Sequence, residues 1–434
     1  MKVIYNTLWM IIEKLILSLS LLIINAYVAR YLGPSQYGVI SYIITLLSIS
    51  VVVSNFGSNT LIFQKISKNS YSAKTIIPTV QVLRSSIYLL CTALMFVYLY
   101  LSGANFDFYL VIGLAIAFYF QAIDSYSWYN DAKLNSKYNS VVNTIALIVA
   151  IITRYFLVKW SLELQWFTIP YICNYAISYF LKRYFFIKKE APPDIISLIF
   201  KRRTHTLKTL TFFIIAGAPL FLSEISILLY TRLTNLYLGE INSIDAVGVF
   251  NASYVIATAW TIIPLAFITS VYTVIYKEKS TRIRIAIGAF LMQLITIGGL
   301  VFVVFCLLFK DQIIHLIYGV GFKESAGIFP ILILSSVFSI LGVISYRMII
   351  AMYGYKYIAK KMIVMGLISI PLNYFLIKNY GVVGAAYSIA IIELISATVA
   401  NYFFKGGLIA RMHLKTIIKP LETSSLAISE ILKK

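Results

Sequence analysis

The residues of this sequence that could do chemistry are ionisable side chains set inside long apolar stretches. Lys14, Arg84 and Arg347 each interrupt such a stretch. A charge at the centre of a bilayer costs about 2.5–3.5 kcal/mol on insertion scales, so embedded charges are candidates for function. Because guanidinium and ammonium groups bind phosphate oxygens strongly where water is scarce, the three residues predict a cationic cavity for an anionic substrate. The alternative is that their side chains reach out to the lipid headgroups.

Five further charged residues extend this set. Glu13 lies in the first apolar stretch, Asp124 closes the fourth, and Arg154 lies near the end of the fifth. Their positions make them candidate cavity residues, with pairing inside the helix bundle or snorkelling as the alternative. Glu224 and Glu393 are the carboxyl groups deepest in the apolar stretches, and we assign them as candidates for proton or ion coupling. A neutral, hydrogen-bonded carboxyl is the other interpretation of these two.

The elements that must position these residues are membrane-spanning helices. The chain has 434 residues, of which 60% are hydrophobic and 12% charged, and its mean hydropathy is +0.86. Soluble domains are about 45–50% apolar and about 25% charged, so the sequence predicts a polytopic membrane protein. The formal charge of +21 comes from basic residues between apolar stretches, which argues against nucleic acid as a partner. The first stretch lacks a small-residue cleavage site and is expected to remain as a span.

Twelve segments are apolar enough to cross a hydrocarbon core of about 30 Å, which takes about 20 residues. They are residues 8–29, 38–61, 80–101, 106–123, 139–158, 165–181, 209–230, 246–274, 285–309, 327–351, 362–377 and 382–403. With the N-terminus in the cytoplasm, 27 of the 37 basic residues fall in inner loops and six in outer loops. The positive-inside rule therefore predicts that both termini are cytoplasmic.

A short motif recurs at a spacing of half the chain. Tyr-Leu-Gly occurs at residues 31–33, after the first span, and again at 237–239, after the seventh. A second glycine follows each copy, at Gly38 and Gly248, and glycine favours tight turns. A turn that recurs in the same orientation implies a parallel repeat of two six-helix lobes, related by an axis along the membrane normal. The alternative is coincidence.

The longest loop divides the predicted spans six and six. We expect an N-terminal lobe at residues 1–187, a cytoplasmic linker at 188–208, a C-terminal lobe at 209–404 and a cytoplasmic tail at 405–434. The linker carries apolar residues among lysines and arginines, as an interfacial amphipathic helix requires, and the tail has the same character. An ordinary solvated linker and tail is the alternative.

Enzyme chemistry is not indicated by the sequence. It contains no GxxxxGK[ST] phosphate loop and no Asp-x-Asp or Glu-x-Asp pair, and its three histidines are scattered. No predicted outer loop is long enough for a polymerase or ligase to hold an acceptor. We therefore expect a transporter that needs no cofactor and has no metal site.

Two segments carry a family resemblance. Residues 6–42, NTLWMIIEKLILSLSLLIINAYVARYLGPSQYGVISY, resemble the opening of the polysaccharide transporter family, the Wzx-type O-antigen flippases, and residues 217–267 resemble its seventh and eighth spans. The resemblance implies the MATE-like fold of the multidrug/oligosaccharidyl-lipid/polysaccharide (MOP) exporter superfamily. The predicted fold class is thus an all-α integral membrane protein, with about 12 transmembrane helices in two pseudo-symmetric six-helix lobes around a central cavity.

The resemblance also implies a substrate and partners. It implies movement of an undecaprenyl-pyrophosphate-linked oligosaccharide to the outer leaflet of a bacterial inner membrane by alternating access. Its motifs carry over Glu13, Lys14 and Arg30 as cavity residues, and Arg232 matches a Thr-Arg pair at the end of the seventh span. The implied partners are the lipid-linked oligosaccharide, membrane lipids, and the polymerase and chain-length regulator of the same pathway.

Two other functions stay open on the sequence alone. A cation-coupled multidrug antiporter of the same fold would need a net acidic cavity. The charged residues embedded in the spans here include slightly more basic than acidic side chains, which mildly favours the flippase. A membrane polysaccharide polymerase would need a long outer loop with paired Arg or His, and the loop at residues 310–327 is too short for that.

Overall fold

The computed structural model describes residues 2–68, 73–103, 106–133, 135–190, 203–278, 280–418 and 429. Every regular element in these ranges is helical, as the predicted fold class requires. A helix satisfies its backbone hydrogen bonds within one segment, which is the condition for crossing lipid. The protein is therefore an all-α, multi-pass membrane protein.

The helices of the described ranges, numbered in chain order, cover all twelve predicted spans. They are α1 Lys2–Asn55, α2 Ser58–Lys68, α3 Ala73–Leu101, α4 Phe108–Ile123, α5 Tyr126–Ala132, α6 Ser136–Lys159, α7 Ile169–Glu190, α8 Arg203–Tyr237, α9 Ile244–Ala259, α10 Ile262–Lys277, α11 Thr281–Leu308, α12 Lys310–Tyr318, α13 Ser325–Ala351, α14 Tyr355–Ala397, α15 Val399–Tyr402 and α16 Leu408–Ile418. By length and hydropathy alone, eight described helical stretches qualify as spans, or nine if a bent pair within α8 counts as one. Two of the eight, in α1 and α14, run through two predicted spans each.

Two long helices are broken by glycines with a left-handed backbone. Gly33 interrupts α1 at a φ of 72°, and Gly381 interrupts α14 at a φ of 55°. Other residues disfavour this region because their Cβ crowds the backbone. Pro34 follows Gly33 and opens the second part of α1, where its missing N–H removes no helical bond. The predicted turn between the first two spans is thus confined to Gly33, and helix resumes directly after it.

The contacts divide the chain into two compact units. One unit contains residues 1–38 and 229–434, and the other contains residues 39–228. This division differs from the predicted lobes, because the first 38 residues group with the C-terminal half and residues 209–228 with the N-terminal half. The lobe boundaries stay a prediction. The linker helix predicted for residues 188–208 falls mainly outside the described residues.

The unit of residues 39–228 has its core among α2, α3, α5, α7 and α8, around side chains such as Ile62, Ile77 and Phe213. The break between α1 and α2 packs closely on α8. Phe56 stacks on Phe221 with ring centroids 4.5 Å apart, and a Cβ on Gly217 would overlap the carbonyl oxygen of Phe56. Glycine at 217 therefore allows α8 to reach the broken backbone.

The unit of residues 1–38 and 229–434 has its core among α10, α11, α13 and α16. Ile409 and Met412 of α16 are fully buried in this core, and the Thr416 hydroxyl donates to the Ala289 carbonyl at 3.3 Å. Burial lowers the pKa of His413 to about 4, so the imidazole stays neutral between Ser345 and Tyr402. The start of the predicted tail, at least as far as Ile418, thus belongs to the packed unit.

The second glycines of the sequence repeat contact each other within this unit. A Cβ on Gly38 would overlap the Ile244 carbonyl oxygen, and a Cβ on Gly248 would overlap that of Pro34. The two copies of the motif therefore meet backbone against backbone, with reciprocal contacts. Next to them, the ring of Tyr37 meets Phe322 edge-on at 6.2 Å. Both glycines lie inside helices, so the close approach of the two backbones, and not the turn expected from the sequence, explains why glycine occurs at both positions.

This contact gives a first testable prediction. Replacing either Gly38 or Gly248 with alanine forces the two helices apart, and we expect each change to cost about 1–3 kcal/mol of stability. The measurement is the thermal unfolding midpoint of the purified full-length protein in detergent. Gly298→Ala is the matched control, because a Cβ there meets nothing within 4 Å and Gly298 lies inside α11. Unchanged midpoints in both repeat variants would contradict the close contact.

Candidate functional site

Arg84 of α3 is enclosed by hydrogen-bond acceptors in the unit of residues 39–228. It is 1% exposed, and its guanidinium donates to the Ser58 hydroxyl at 2.7 Å, to Asn59 Oδ1 at 2.7 Å and to the Ala122 carbonyl at 3.4 Å. The carboxylates of Asp124 and Glu224 attract the same guanidinium at longer range. The hydrogen bonds tie α2 and α4 to α3. Arg84 therefore has a structural role here, and its contact with substrate stays a prediction.

Asp124 also forms an internal network in this unit. Its carboxylate accepts from the Ser127 hydroxyl and from the backbone N–H of Tyr126, and it pairs with Lys182 of α7 at 2.8 Å. Lys182 is 3% exposed, although the positive-inside pattern counts it as a loop residue. The pair holds the α4–α5 turn against α7. A direct substrate role for Asp124 stays a prediction.

Arg154 of α6 is buried but less completely paired. Its side chain is 6% exposed and lies over the ring of Tyr171 at 4.9 Å. One terminal nitrogen, Nη1, has no hydrogen-bond partner among the described residues. Buried polar groups are nearly always hydrogen-bonded. Arg154 is therefore the candidate of this unit with unused donor capacity.

The sequence candidates at the N-terminal end are only partly described. Glu13 and Lys14 lie in α1, but their side chains fall outside the described part of the chain. Arg30 is exposed, and its guanidinium passes beside Gly319, within the unit of residues 1–38 and 229–434. It remains available to an external ligand.

A cavity of about 230 Å³ with a largely polar lining lies between α9–α10, α13 and α14 in the unit of residues 1–38 and 229–434. Six of its lining side chains carry hydroxyl groups, and one carries a carboxylate, Glu393. We call it the hydroxyl cavity. Its lining residues are Tyr254, Thr258, Thr261, Leu265, Ser335, Ser336, Ser339, Ile340, Val343, Ile389 and Glu393.

Most of these hydroxyl groups present acceptors to the cavity. Thr258 donates to the Tyr254 carbonyl at 2.8 Å, Thr261 to Thr258 at 2.6 Å, Ser335 to Leu332 at 2.7 Å and Ser336 to Ile333 at 2.7 Å. Each hydroxyl has a single proton, and these four hydroxyl groups already donate it to a backbone carbonyl nearby in the chain. Their oxygen lone pairs and the Glu393 carboxylate therefore face a ligand that donates hydrogen bonds.

Arg347, a sequence-predicted cavity residue, lies just beyond the hydroxyl cavity. It follows Val343 by one turn on the same face of α13, about 6 Å along the axis. Its guanidinium lies 5.7 Å from the centre of the Tyr272 ring and makes no ion pair with the described residues. Arg232 is exposed and is not among the lining residues. The structure thus places Glu393 in the cavity and Arg347 next to it.

The hydroxyl residues of the cavity were missed in the sequence analysis. The run SSVFS at residues 335–339 within the apolar segment of α13 is the signal that could have pointed to them. Lys361 was also counted as a loop residue, yet it is 6% exposed and donates to the Ser396 carbonyl at 2.7 Å and to Asn401 Oδ1 at 3.0 Å. It stabilises the break between α14 and α15 and does not line the cavity.

Comparison with known proteins decides the family. The sequence profile of the polysaccharide biosynthesis protein family matches residues 3–277, more than half of the chain. The chain belongs to this family. No curated protein matches it.

Solved structures share the fold of this family member over nearly the whole chain. The chain resembles a multidrug resistance MATE family transporter of the MOP superfamily in its inward-facing conformation, with a TM-score of 0.68 and 14% identity over 95% of this chain and 96% of that one. It resembles the lipid II flippase MurJ in its inward closed conformation with a TM-score of 0.62 and 15% identity, over 96% of this chain and 97% of that one. It resembles a MOP superfamily transporter from Pyrococcus furiosus with a TM-score of 0.59 and 13% identity, over 92% of this chain and 95% of that one. The likeness confirms the predicted MATE-like fold.

The structural role of Arg84 is testable by a conservative exchange. Arg84→Lys removes the planar fork that reaches three acceptors, and we expect a loss of about 1–3 kcal/mol in stability. Thermal unfolding in detergent and abundance in the membrane measure it. Arg232→Lys is the control, because Arg232 is exposed and should tolerate the change. An Arg84→Lys protein that melts like the parent would show that the fork is not needed.

The buried pair of Asp124 and Lys182 is testable by a double-mutant cycle. Asp124→Asn and Lys182→Met each leave an unpaired buried group, at a cost of about 3 kcal/mol. The double variant removes both charges and should recover part of that stability. Strictly additive losses in the unfolding midpoint would argue against a direct pair.

Proposed function

We propose that this protein is a flippase for an undecaprenyl-pyrophosphate-linked oligosaccharide, an O-antigen, capsule or exopolysaccharide repeat unit. It would move this lipid from the cytoplasmic to the periplasmic leaflet of the bacterial inner membrane by alternating access, with both its own termini cytoplasmic. The observation that carries the proposal is one face of α13, which presents hydroxyl groups to the cavity and then Arg347. Family membership and the fold shared with the lipid II flippase MurJ support it.

The two ends of this face match the two ends of the substrate head. A guanidinium binds phosphate oxygens through paired N–H groups, so Arg347 is assigned to the pyrophosphate. Acceptor oxygens of the cavity bind sugar hydroxyls, and the polyprenyl chain stays in lipid. Arg232, Arg30, Arg154, Lys14 and Glu13 remain proposed contacts for other stages of transport. Arg84 and Asp124 contribute by holding their helices in place.

Energy coupling is assigned to the two half-buried carboxyl groups, Glu224 and Glu393. Glu393 lies in the hydroxyl cavity, where proton or cation binding would be felt by the substrate directly. Glu224 lies at the break between α1 and α2, beside Gly57 and Arg84. A change of charge there would act on the packing of α8. The polymerase and chain-length regulator of the same pathway are the partners we expect to receive the product.

A multidrug antiporter is the second candidate, and Glu393 is the observation that favours it. A carboxylate in a cavity would attract a cationic drug. Drug-sized ligands occupy pockets of about 300–1,000 Å³, however, and the hydroxyl cavity has about 230 Å³. Arg347, one turn beyond Val343 on α13, also repels cations. We therefore place this candidate second.

The proposal is tested by complementation in a deletion strain of the source organism. Loss of the protein should abolish surface polysaccharide and leave single lipid-linked repeat units on the inner leaflet. A polymerase defect would instead let single units reach the surface. Surface polysaccharide of normal length and amount in the deletion strain would overturn the flippase. Loss of drug resistance with intact polysaccharide would favour the antiporter.

The role of Arg347 is tested in the same strain. Arg347→Gln removes charged hydrogen bonds worth about 1.5–3 kcal/mol, so surface polysaccharide should fall about 10- to 100-fold at equal membrane abundance. Arg411→Gln is the matched control, because Arg411 is exposed and the one hydrogen bond of its guanidinium within the described ranges is to the Gly406 carbonyl. If Arg347→Gln supports full polysaccharide display, the guanidinium does not contact the substrate.

A further inference from the structure

We infer that the hydroxyl cavity is a subsite for one neutral sugar ring and that it discriminates against acidic sugars. The inference rests on the proposed flippase function, because the ring is taken to be part of the lipid-linked oligosaccharide. It deepens that function by naming the part of the substrate head that enters the cavity. The residues that carry it are Ser336, Ser339, Thr258 and Glu393.

The size of the cavity selects a single ring. The cavity of about 230 Å³ is smaller than the pockets of about 300–1,000 Å³ that hold drug-sized ligands, so it suits a single ring better than a disaccharide. The cavity is open on one side, so the rest of an oligosaccharide can continue outward from the bound ring. Tyr254 lines the cavity and its ring stacks on Phe250, with the centroids 5.9 Å apart.

The hydrogen-bond direction of the lining selects a donor-rich ligand. Thr258, Thr261, Ser335 and Ser336 have each donated their proton to a helix carbonyl, and Ser336 also accepts from the Trp260 indole N–H at 2.8 Å. A sugar ring carries several hydroxyl protons that these oxygens can accept. A group that only accepts, such as a phosphate or carboxylate oxygen, would leave the lining oxygens unpaired, which is costly in a buried site.

The charge of the lining points the same way. Glu393 is the one ionisable carboxyl among the lining residues, and no basic side chain lines the cavity. An acidic sugar would place its carboxylate in a partly dehydrated space with Glu393, where like charges repel more strongly than in water. Arg347 lies one turn beyond the lining and suits the pyrophosphate, not the ring. Lys361 interacts electrostatically with Glu393, but its ammonium is buried against the Ser396 carbonyl and Asn401 and does not line the cavity.

A bound metal ion is a poorer match to this lining. The described part of the chain has no group of three or more His, Cys, Asp or Glu side chains that could hold a metal. The lining oxygens come from three separate helical segments around a space of several water volumes. A dehydrated ion requires oxygens that converge within about 2.6 Å. The distributed acceptors suit a ring with hydroxyl groups on several sides.

Trp260 supplies a built-in reporter for the test. Its indole N–H bonds to Ser336, whose oxygen lines the cavity, so a ligand at that oxygen should alter the tryptophan emission. The full-length protein has five tryptophans. Replacing the other four with phenylalanine leaves Trp260 as the sole emitter. The purified protein is titrated at pH 7 with methyl α-D-galactopyranoside, with the corresponding methyl galacturonide, and with sodium chloride.

The neutral glycoside should change Trp260 emission saturably, and the galacturonide should bind on the order of tenfold more weakly. Glu393→Gln should bring the two affinities close together. Thr258→Val should weaken neutral glycoside binding about fivefold, the value of one hydrogen bond. Thr269→Val is the matched control with no expected change, since Thr269 makes the same bond to the carbonyl four residues earlier and does not line the cavity.

Three results would overturn the subsite. They are the absence of any response to the neutral glycoside, equal binding of the two glycosides by the parent protein, and a saturable response to sodium in place of the glycosides. These outcomes are separate from the polysaccharide display assay. Glycoside binding with normal display in the deletion strain would retain the subsite and reject the flippase. No glycoside binding, together with loss of surface polysaccharide in the deletion strain, would retain the flippase and reject the subsite.

Discussion

Backbone amides and carbonyls inside a bilayer have to be hydrogen-bonded within the protein, and this requirement decides where the chain can bend. At Gly33 the break is followed by Pro34, which has no N–H to satisfy. At the break between α14 and α15, Lys361 and Asn401 donate to the carbonyls of Ser396 and Ala397. At these two interruptions, a side chain or a residue type compensates for the lost helical hydrogen bonds.

The same low-dielectric environment separates the basic residues into two groups. Arg84, Lys182 and Lys361 are buried, and each is surrounded by acceptors from neighbouring helices. A charge held this way stabilises helix packing and has little capacity left for a ligand. Arg347 and Arg232 lack such enclosures among the described residues. The distinction between structural and ligand-binding charge therefore follows from the number of internal acceptors.

Helix α13 joins the core of its unit to the proposed substrate site. Its buried face, with Ile344, Met348 and Ile349, belongs to the apolar core, and the Tyr272 hydroxyl donates to the Ile344 carbonyl at 2.5 Å. Another face carries the serines of the hydroxyl cavity and then Arg347. Packing on one side thus fixes the position of the binding groups on the other, as a preorganised site requires.

The sequence by itself determined the fold class, the positions of the spans and the family resemblance. Lipid imposes a length of about 20 apolar residues on each span, so hydropathy alone locates them. The sequence also identified Arg347 and Glu393 as embedded charges. It did not identify the serines and threonines of the cavity, because a helix that is apolar on every side carries no signal for which face meets its neighbours. Only the tertiary structure decided that the hydroxyl groups of α9 and α13 and the carboxyl group of Glu393 in α14 lie around one cavity, and that Arg84 and Asp124 are enclosed. Both facts depend on the rotation of each helix about its axis, which packing sets and hydropathy does not.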